Sequence, residues 1–441
     1  MLEHGGRLRL AARHYGIPLA DWLDLSTGIN PHAWPVPPLA PEVWQRLPES
    51  DDGLEAAAAA YYGNAQLLPV AGSQAAIQAL PTCFAPGRVL TLAPTYAEHP
   101  HAWREHRITA LPAARIAGAV GGADTLLLVQ PNNPTGERFS REHLLDWHRD
   151  LASRGGRLIV DEAFLDAEPD DSLAPLANRP GLVVLRSIGK FFGLAGARVG
   201  FVFADAELLT KLADRLGPWT VSGPARAVTA AALADRDWQT AARRRLVAAS
   251  ARLAASLDRH GLRGGAGTAL FQWRPHADAR ALHTRLAEQG ILTRLFDTPS
   301  GLRFGLPGDQ VTTTNAAGTT LTRATGDRWH LLGELVDLDD VARVLADQRD
   351  PDRDRPLQLE PEIGPEQGEG RGLDVGVGEV GRAGGHHRPD GRPLERVDVG
   401  EGLPVRRGDV APRRPGLDPL AALARAHRAD GDAGLGARGV A

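Results

Sequence analysis

The segment Arg186-Ser187-Ile188-Gly189-Lys190-Phe191-Phe192-Gly193 is the most informative part of this 441-residue sequence. It follows directly on an apolar run at 182–185, and Arg198 lies eight residues after Lys190. The chain has only one other lysine, Lys211, because nearly all of its basic side chains are arginines. If the protein uses a lysine amine in its chemistry, Lys190 is therefore the first candidate.

Composition predicts a globular protein that acts on small molecules. Hydrophobic residues make up 43% of the chain, which is long enough for roughly two to three domains. With 50 basic and 54 acidic residues the net charge is −4, so no overall field favours nucleic acid or an anionic membrane.

The start does not read as a secretory signal, and no apolar stretch approaches about 18 residues. The single cysteine, Cys83, excludes an intrachain disulfide, lacks nearby metal-ligand partners and fits a cytoplasmic protein.

Short apolar runs separated by helical stretches predict an α/β fold. The runs at 89–92, 125–129, 158–160, 182–185 and 199–203 do not alternate with polar residues, as expected of strands buried on both faces. Helical stretches such as 140–153 separate several of them, which predicts a mostly parallel sheet with crossover helices. Ligands of such sheets bind at the carboxyl ends of the strands.

The chain divides into four predicted parts. Residues 1–48 are expected to form an N-terminal arm that lies on a surface and not in a core. Residues 49–232 form the large α/β domain, and 233–348 a smaller α+β domain with strands near 269–273, 291–295 and 301–305. The tail 349–441 is predicted to be disordered or the product of an altered reading frame, because positions 351–441 contain 18 Gly and 10 Pro without a repeat.

Polar residues recur where these apolar runs end. Asp161 follows the run at 158–160, and Asn133 lies in Asn132-Asn133-Pro134-Thr135-Gly136. Taken alone, Asp161 and Asn133 are each more typical of a turn. The segment Gly72-Ser73-Gln74 opens a helix, where free amides bind an anion or merely begin the helix. Tyr96 is suited to stacking on a ring or to ordinary packing. The order of these features along the chain is more specific than any one of them.

From residue 4 to about 307 this order resembles the fold-type I pyridoxal-phosphate superfamily, which includes aspartate and histidinol-phosphate aminotransferases. The resemblance implies an aspartate aminotransferase-like fold, with a large α/β domain around a mostly parallel sheet and a smaller α+β domain. The opening His4-Gly5-Gly6, the segment Leu25-Ser26-Thr27-Gly28-Ile29-Asn30-Pro31 and the motif Asp161-Glu162-Ala163-Phe164 are most similar to the L-threonine-O-3-phosphate decarboxylases of cobalamin biosynthesis.

The resemblance also implies a role for each of these residues. Lys190 would bind the aldehyde of pyridoxal 5'-phosphate, Asp161 its pyridine nitrogen and Asn133 its phenolic oxygen. The remaining cofactor contacts would come from Gly72, Ser73, Gln74, Tyr96, Ser187 and Arg198. Arg303 aligns with the arginine that grips the substrate carboxylate, since a guanidinium meets a carboxylate with two parallel hydrogen bonds. His4, Gly5, Asn30 and Arg294 are assigned to the substrate, with His4, Gly5 and Arg294 at its phosphate.

Two positions depart from the wider superfamily pattern. Phe164 stands where many aminotransferases have a tyrosine that donates to the phenolic oxygen. A hydrogen bond to a charged group contributes about 1.5–3 kcal/mol, so its loss weakens the case for a general transaminase. Leu47 occupies the position of a tyrosine that commonly reaches the phosphate across a dimer interface.

The predicted function is decarboxylation of O-phospho-L-threonine to (R)-1-amino-2-propanol O-2-phosphate by a cytoplasmic homodimer. The first alternative is an aminotransferase acting on a phosphorylated amino compound such as histidinol phosphate. The second is a non-catalytic partner of the corrinoid pathway. In each catalytic case the partner is a small phosphorylated molecule, and no metal is expected.

Overall fold

The structure is a computed structural model that describes residues 4–308 and the backbone of two short strands at 312–314 and 320–322. The predicted tail and most of the predicted end of the small domain lie outside these residues, and the domain boundaries at 48, 232 and 348 stay predictions. No helix in the described part is long and apolar enough to cross a bilayer. The helices there are α1 (Leu8–Tyr15), α2 (Glu42–Gln45), α3 (Leu54–Tyr62), α4 (Ser73–Ala79), α5 (Glu98–Ala102), α6 (Ala113–Ala119), α7 (Arg141–Ala152), α8 (Ala206–Leu216), α9 (Gly223–Ala234), α10 (Arg236–Arg259) and α11 (Ala279–Glu288).

The strands form one large sheet and three smaller ones. The large sheet has seven strands in the order β2-β8-β7-β6-β5-β3-β4, and a second has the order β12-β13-β10-β9. The strand bounds are β1 (Leu23–Asp24), β2 (Leu67–Val70), β3 (Arg88–Leu92), β4 (Arg107–Leu111), β5 (Thr125–Val129), β6 (Arg157–Asp161), β7 (Leu182–Ser187), β8 (Gly200–Phe203), β9 (Gly267–Thr268), β10 (Phe271–Pro275), β11 (Ile291–Leu292), β12 (Arg294–Asp297), β13 (Ser300–Gly305), β14 (Thr312–Thr314) and β15 (Thr320–Thr322).

The large sheet is mostly parallel, as predicted. Strands β4, β3, β5, β6 and β7 run parallel, whereas β8 pairs antiparallel with β7 and with β2. Sequence analysis did not predict β2 or β4. Both are edge strands with partly exposed side chains, so neither presents the continuous apolar run by which the central strands were recognised.

Two hydrophobic clusters cover the opposite faces of this sheet. Leu126 and Val160 belong to one cluster, and their neighbours Leu127 and Ile159 belong to the other. Because successive side chains of a strand point to opposite faces, the middle of each central strand needs apolar residues on both faces. This burial on both faces explains why β5, β6 and β7 lack alternation.

The expectation that the whole N-terminal arm lies on a surface was wrong for the stretch around β1. Strand β1 pairs in parallel with β11, and Leu25 is completely buried. The Leu25 amide donates to the Leu292 carbonyl at 2.8 Å, and the Gly305 amide donates to the Leu25 carbonyl at 2.7 Å. This stretch is therefore part of the interior, because its backbone groups pair with two strands from the carboxyl-terminal half of the described region.

Candidate active site

The predicted cofactor residues meet at the carboxyl ends of the central strands. Asp161 ends β6, Ser187 ends β7, and Lys190 follows β7 by three residues. Parallel strands bring their carboxyl ends to one edge of the sheet, which is where ligands of such folds bind. A cavity of about 320 Å³ opens at this edge and is lined by His4, Ser73, Gln74, Tyr96, Glu98, Val129, Asn133, Asp161, Ala163, Phe164, Ser187, Lys190 and Arg198.

A second cavity, of about 220 Å³, adjoins the first and shares Lys190 and Asn133 with it. The amine of Lys190 thus lies where the two cavities meet. The second cavity is lined by His4, Gly5, Thr27, Gly28, Ile29, Thr95, Tyr96, Ala97, Asn133, Phe164, Lys190, Arg294, Phe296 and Arg303. We call the first the cofactor cavity and the second the substrate cavity, after the residues predicted to bind each.

The structure does not bring Asn30 into either cavity. Asn30 is buried, its Nδ2 donates to the Phe191 carbonyl at 2.8 Å, and its Oδ1 accepts from the His32 amide at 2.9 Å. Its backbone amide also donates to the Lys190 carbonyl at 2.9 Å. Asn30 therefore fixes the backbone on either side of the Lys190–Phe191 bond. Its side-chain amide is already hydrogen-bonded within the protein, so it does not serve the substrate.

Asp161 is a buried carboxylate with two hydrogen-bond partners. Its Oδ2 lies 2.9 Å from His99 Nε2, and its Oδ1 accepts from the Ala163 amide at 3.0 Å. Sequence analysis missed His99. It lies in the short helix α5 beside the exposed His101, and no local pattern distinguishes the two. Only the packing of α5 against the end of β6 buries one of them next to Asp161.

Lys190 has the electrostatic surroundings of a reactive amine. Burial lowers its pKa to about 8, and the positive charges of Arg303 and Arg198 act in the same direction. Asp161 opposes them, because a nearby negative charge favours the protonated amine. At pH values above 8 the neutral, nucleophilic form therefore predominates.

This lowered pKa leads to a prediction for cofactor-free protein. An amine must be neutral to attack an aldehyde, so covalent capture of added pyridoxal phosphate should accelerate with pH up to about 8 and then level off. An ordinary lysine, with a pKa of about 10.4, would keep accelerating past pH 10. The rate of the cofactor absorbance change between pH 6 and 10.5 measures this. A rate still rising at pH 10 would contradict the assignment of Lys190, with its lowered pKa, as the amine that captures the cofactor.

Two glycines allow other groups to lie very close to the backbone where Ser73 and Arg198 line the cofactor cavity. Gly72 has φ of 73°, and a Cβ there would lie 2.6 Å from Arg198 Nη2. A Cβ at Gly200 would lie 2.5 Å from the amide nitrogen of Ser73. Arg198 itself has the left-handed φ of 54°, which is uncommon outside glycine. Ser73 and the Arg198 guanidinium are thereby held close together at the start of α4.

The groups that are present fit pyridoxal phosphate. Hydroxyls of Ser73 and Ser187 and the guanidinium of Arg198 suit a phosphate. The carboxylate of Asp161 suits a protonated ring nitrogen, and Lys190 suits the aldehyde. All five line the same cavity. The geometry thus supplies a complementary group for the phosphate, the ring nitrogen and the aldehyde of the cofactor.

Arg303 is the buried cation of the substrate cavity. Its Nη1 donates to Asn133 Oδ1 at 2.5 Å, and its Nη2 donates to the Ser26 carbonyl at 2.9 Å. Burial lowers its pKa to about 10, with the charge of Arg294 acting in the same direction. Arg303 is therefore still charged at neutral pH. Its contact with Asn133 ties the substrate cavity to the cofactor cavity.

The two departures from the superfamily pattern have different surroundings. Phe164 is buried, packs edge-to-face on Phe271 with ring centroids 5.1 Å apart, and lies 5.5 Å from Lys190 Nζ. It gives both cavities an apolar wall without a hydroxyl. Leu47 is 63% exposed in the single chain.

A buried ion-pair network that sequence analysis missed lies behind these strand ends. Arg186 donates to Glu162 Oε2 and to Asp166 Oδ1, each at 2.7 Å, and all three side chains are almost fully buried. The Glu162 carboxylate also accepts from the Leu173 amide at 2.8 Å. Arg186 and Glu162 adjoin Ser187 and Asp161 in sequence. Each of these buried charges needs its partners, so the network resists movement of Arg186 and Glu162. We therefore expect it to fix the ends of β6 and β7.

Comparison with known proteins identifies the family of this chain. The family described as aminotransferase class I and II matches residues 21–319. The chain is 57% identical over 312 residues to a threonine-phosphate decarboxylase of Pseudomonas aeruginosa, covering 70% of this chain and 94% of that protein. A threonine-phosphate decarboxylase of a Sinorhizobium species is 43% identical over 323 residues, with the same two coverages.

Solved structures identify the fold. The histidinol-phosphate aminotransferase of Sinorhizobium meliloti, in complex with pyridoxal-5'-phosphate, superposes with a TM-score of 0.62 at 20% identity, covering 78% of this chain and 96% of that one. This likeness confirms the predicted aspartate aminotransferase-like α/β fold. By the family match and its sequence relatives, the chain belongs to the class I and II aminotransferase family.

Proposed function

We propose that this protein is a pyridoxal-phosphate-dependent decarboxylase of O-phospho-L-threonine. The observation that carries the proposal is the charge of the substrate cavity, where Arg303, Arg294 and His4 line the same space as Lys190. A substrate with both a carboxylate and a phosphate matches these two guanidinium groups, and the His4 imidazole can supply a further hydrogen bond. Relatives named threonine-phosphate decarboxylase, at 57% and 43% identity, support the same choice.

The cofactor, when bound, supplies a protonated ring that withdraws electrons from the substrate's α-carbon. Asp161 is placed to keep the ring nitrogen protonated, because its buried carboxylate lines the cofactor cavity. In the reaction the bond between the α-carbon and the carboxylate breaks, carbon dioxide leaves, and the α-carbon takes up a proton. Lys190, at the junction of the two cavities, is the group positioned to deliver that proton.

Arg303 selects the bond that breaks. A guanidinium binds a carboxylate with two parallel hydrogen bonds, so it fixes orientation as well as position. The Asn133 and Ser26 contacts hold Arg303 in place before substrate arrives. Only the bond held perpendicular to the cofactor ring can give up its electrons, so this anchoring favours loss of the carboxylate over loss of the α-proton.

We also propose that the protein works as a cytoplasmic homodimer. Trp44 and Leu47 lie three residues apart and are 69% and 63% exposed, so a second copy of the chain that covered them would bury two large apolar side chains. Charge at Leu47 should then weaken association. Sedimentation of the native protein and of Leu47→Glu tests this, and a wild-type mass of one chain would reject the dimer.

The proposed reaction is tested by its products. Purified protein with pyridoxal phosphate and O-phospho-L-threonine should release carbon dioxide in proportion to the amino alcohol phosphate formed. An aminotransferase would instead convert a phosphorylated amino compound, such as histidinol phosphate, in the presence of a keto acid. Transamination without carbon dioxide release would reject the decarboxylase. A protein that binds no pyridoxal phosphate would support the non-catalytic alternative.

A further inference from the structure

Glu98 is a carboxylate in a site that is built for anions. It begins α5, lines the cofactor cavity beside Ser73 and Arg198, and its side chain is only 13% exposed. A negative charge there repels a bound phosphate, and the repulsion grows in the low dielectric of a partly buried cavity. Direct contact between Glu98 and a phosphate would therefore be unfavourable. The role of Glu98 is indicated instead by the side chains that it binds.

The two carboxylate oxygens of Glu98 bind two different segments of the chain. Oε1 lies 2.7 Å from Nε2 of His4, at the start of the described chain. Oε2 accepts from Gln74 Nε2 at 2.9 Å and from the more exposed Gln78 Nε2 at 3.0 Å, both on α4. Gln74 in turn accepts from the Tyr96 hydroxyl at 3.3 Å. One carboxylate thus connects the N-terminal segment to helix α4, whose first residue, Ser73, lines the cofactor cavity.

His4 lines both cavities, and its side chain is 41% exposed. When both of its ring nitrogens carry a proton, His4 can bind Glu98 through Nε2 and a phosphate oxygen through Nδ1. A surface histidine without the first contact would sample several rotamers and lose conformational entropy on binding. Glu98 removes that cost in advance by holding the ring over the cavity.

The backbone of this segment has a separate anchor. The Gly6 amide donates to Ser26 Oγ at 2.8 Å, and a Cβ on Gly5 would lie 2.2 Å from the Ser26 carbonyl oxygen. The segment therefore stays attached to Ser26 when the Glu98 contact is lost. Removal of the Glu98 charge should release the His4 ring without releasing the chain that carries it.

We propose that Glu98 is a positioning residue for recognition of the substrate phosphate, acting through His4. The inference rests on the proposed function, because it takes the phosphate of the substrate to be the group that His4 meets. It extends that function by naming the residue that orients the phosphate ligand. It also predicts selectivity: Glu98 should matter for phosphorylated substrates and not for their unphosphorylated counterparts.

The test uses the full chain with bound cofactor and the variants Glu98→Gln, His4→Ala and the double substitution. Dissociation constants for O-phospho-L-threonine and L-threonine are measured from the change in cofactor absorbance, alongside KM and kcat for carbon dioxide release. Each single variant should bind O-phospho-L-threonine about tenfold more weakly, because Glu98→Gln removes the charge that strengthens the His4 hydrogen bond and His4→Ala removes the phosphate ligand itself. Binding of L-threonine should change less than about threefold, because L-threonine carries no phosphate for His4 to meet. The double variant should be no weaker than His4→Ala, because Glu98 acts through His4.

Gln78→Ala is the matched control, since it removes a more exposed contact to the same carboxylate and should leave both dissociation constants unchanged. Equal weakening of both ligands by Glu98→Gln, or additive losses in the double variant, would overturn the inference. If Glu98→Gln fails to fold by circular dichroism, His4→Ala alone decides, and unchanged binding of O-phospho-L-threonine would overturn it. Absorbance reports binding even if no carbon dioxide is released, so failure of the proposed reaction is distinguishable from failure of this inference.

Discussion

Replacement of Lys190 by alanine should abolish decarboxylation and the covalent attachment of the cofactor. Lys190 lines both cavities, and burial and neighbouring charges lower its pKa to about 8. No second amine can replace it within the described residues, since Lys211 pairs with Glu207 on the exposed face of α8. Loss of both the covalent contact and the proton donor should reduce kcat by about 10³-fold or more.

The measurement pairs carbon dioxide release with borohydride reduction and peptide mapping. Reduction fixes the cofactor to the amine that binds it, so the labelled peptide in the wild-type protein should contain Lys190. Lys211→Ala is the matched control, because it removes the only other lysine of the chain and should retain full activity. A label on Lys211, or a Lys190→Ala variant with more than a tenth of wild-type kcat, would contradict the whole assignment.

Asp161→Asn should produce the second largest loss. Asparagine keeps the shape of the side chain and can still accept from the Ala163 amide, but it removes the charge that holds a proton on the ring nitrogen. Removal of one preorganised group that stabilises developing charge costs about 10²–10³-fold in kcat. KM should change little, because Asp161 lines the cofactor cavity and not the substrate cavity.

Asp124→Asn is the matched control for this substitution. Asp124 precedes β5 at the opposite edge of the same sheet and pairs with Arg88 on the surface, where ion pairs contribute little. It should retain kcat within about twofold. Initial rates at saturating O-phospho-L-threonine and cofactor measure both variants. Asp161→Asn with kcat near that of wild type would show that the ring nitrogen is not protonated by this carboxylate.

The sequence alone determined the kind of fold and predicted which amine is reactive. Strands β5, β6 and β7 are buried on both faces, so their apolar runs are continuous and could be read without the structure. Lys190 is one of only two lysines. The order of Ser73, Asn133, Asp161 and Arg198 along the chain was specific because each strand end contributes one polar group to the same edge of the sheet.

Only the tertiary structure decided which side chains act together. His99 meets Asp161, Arg303 meets Asn133, and Glu98 meets His4 across separations of 62 to 170 residues. No local pattern encodes such contacts, because their distances depend on how helices and strands pack. The same holds for the edge strands and for the buried segment around Leu25, whose pairing with β11 and β13 overrides its arm-like composition. A hydrogen bond requires two atoms within about 3 Å, and that condition is set by the packed fold and not by either residue's neighbours in sequence.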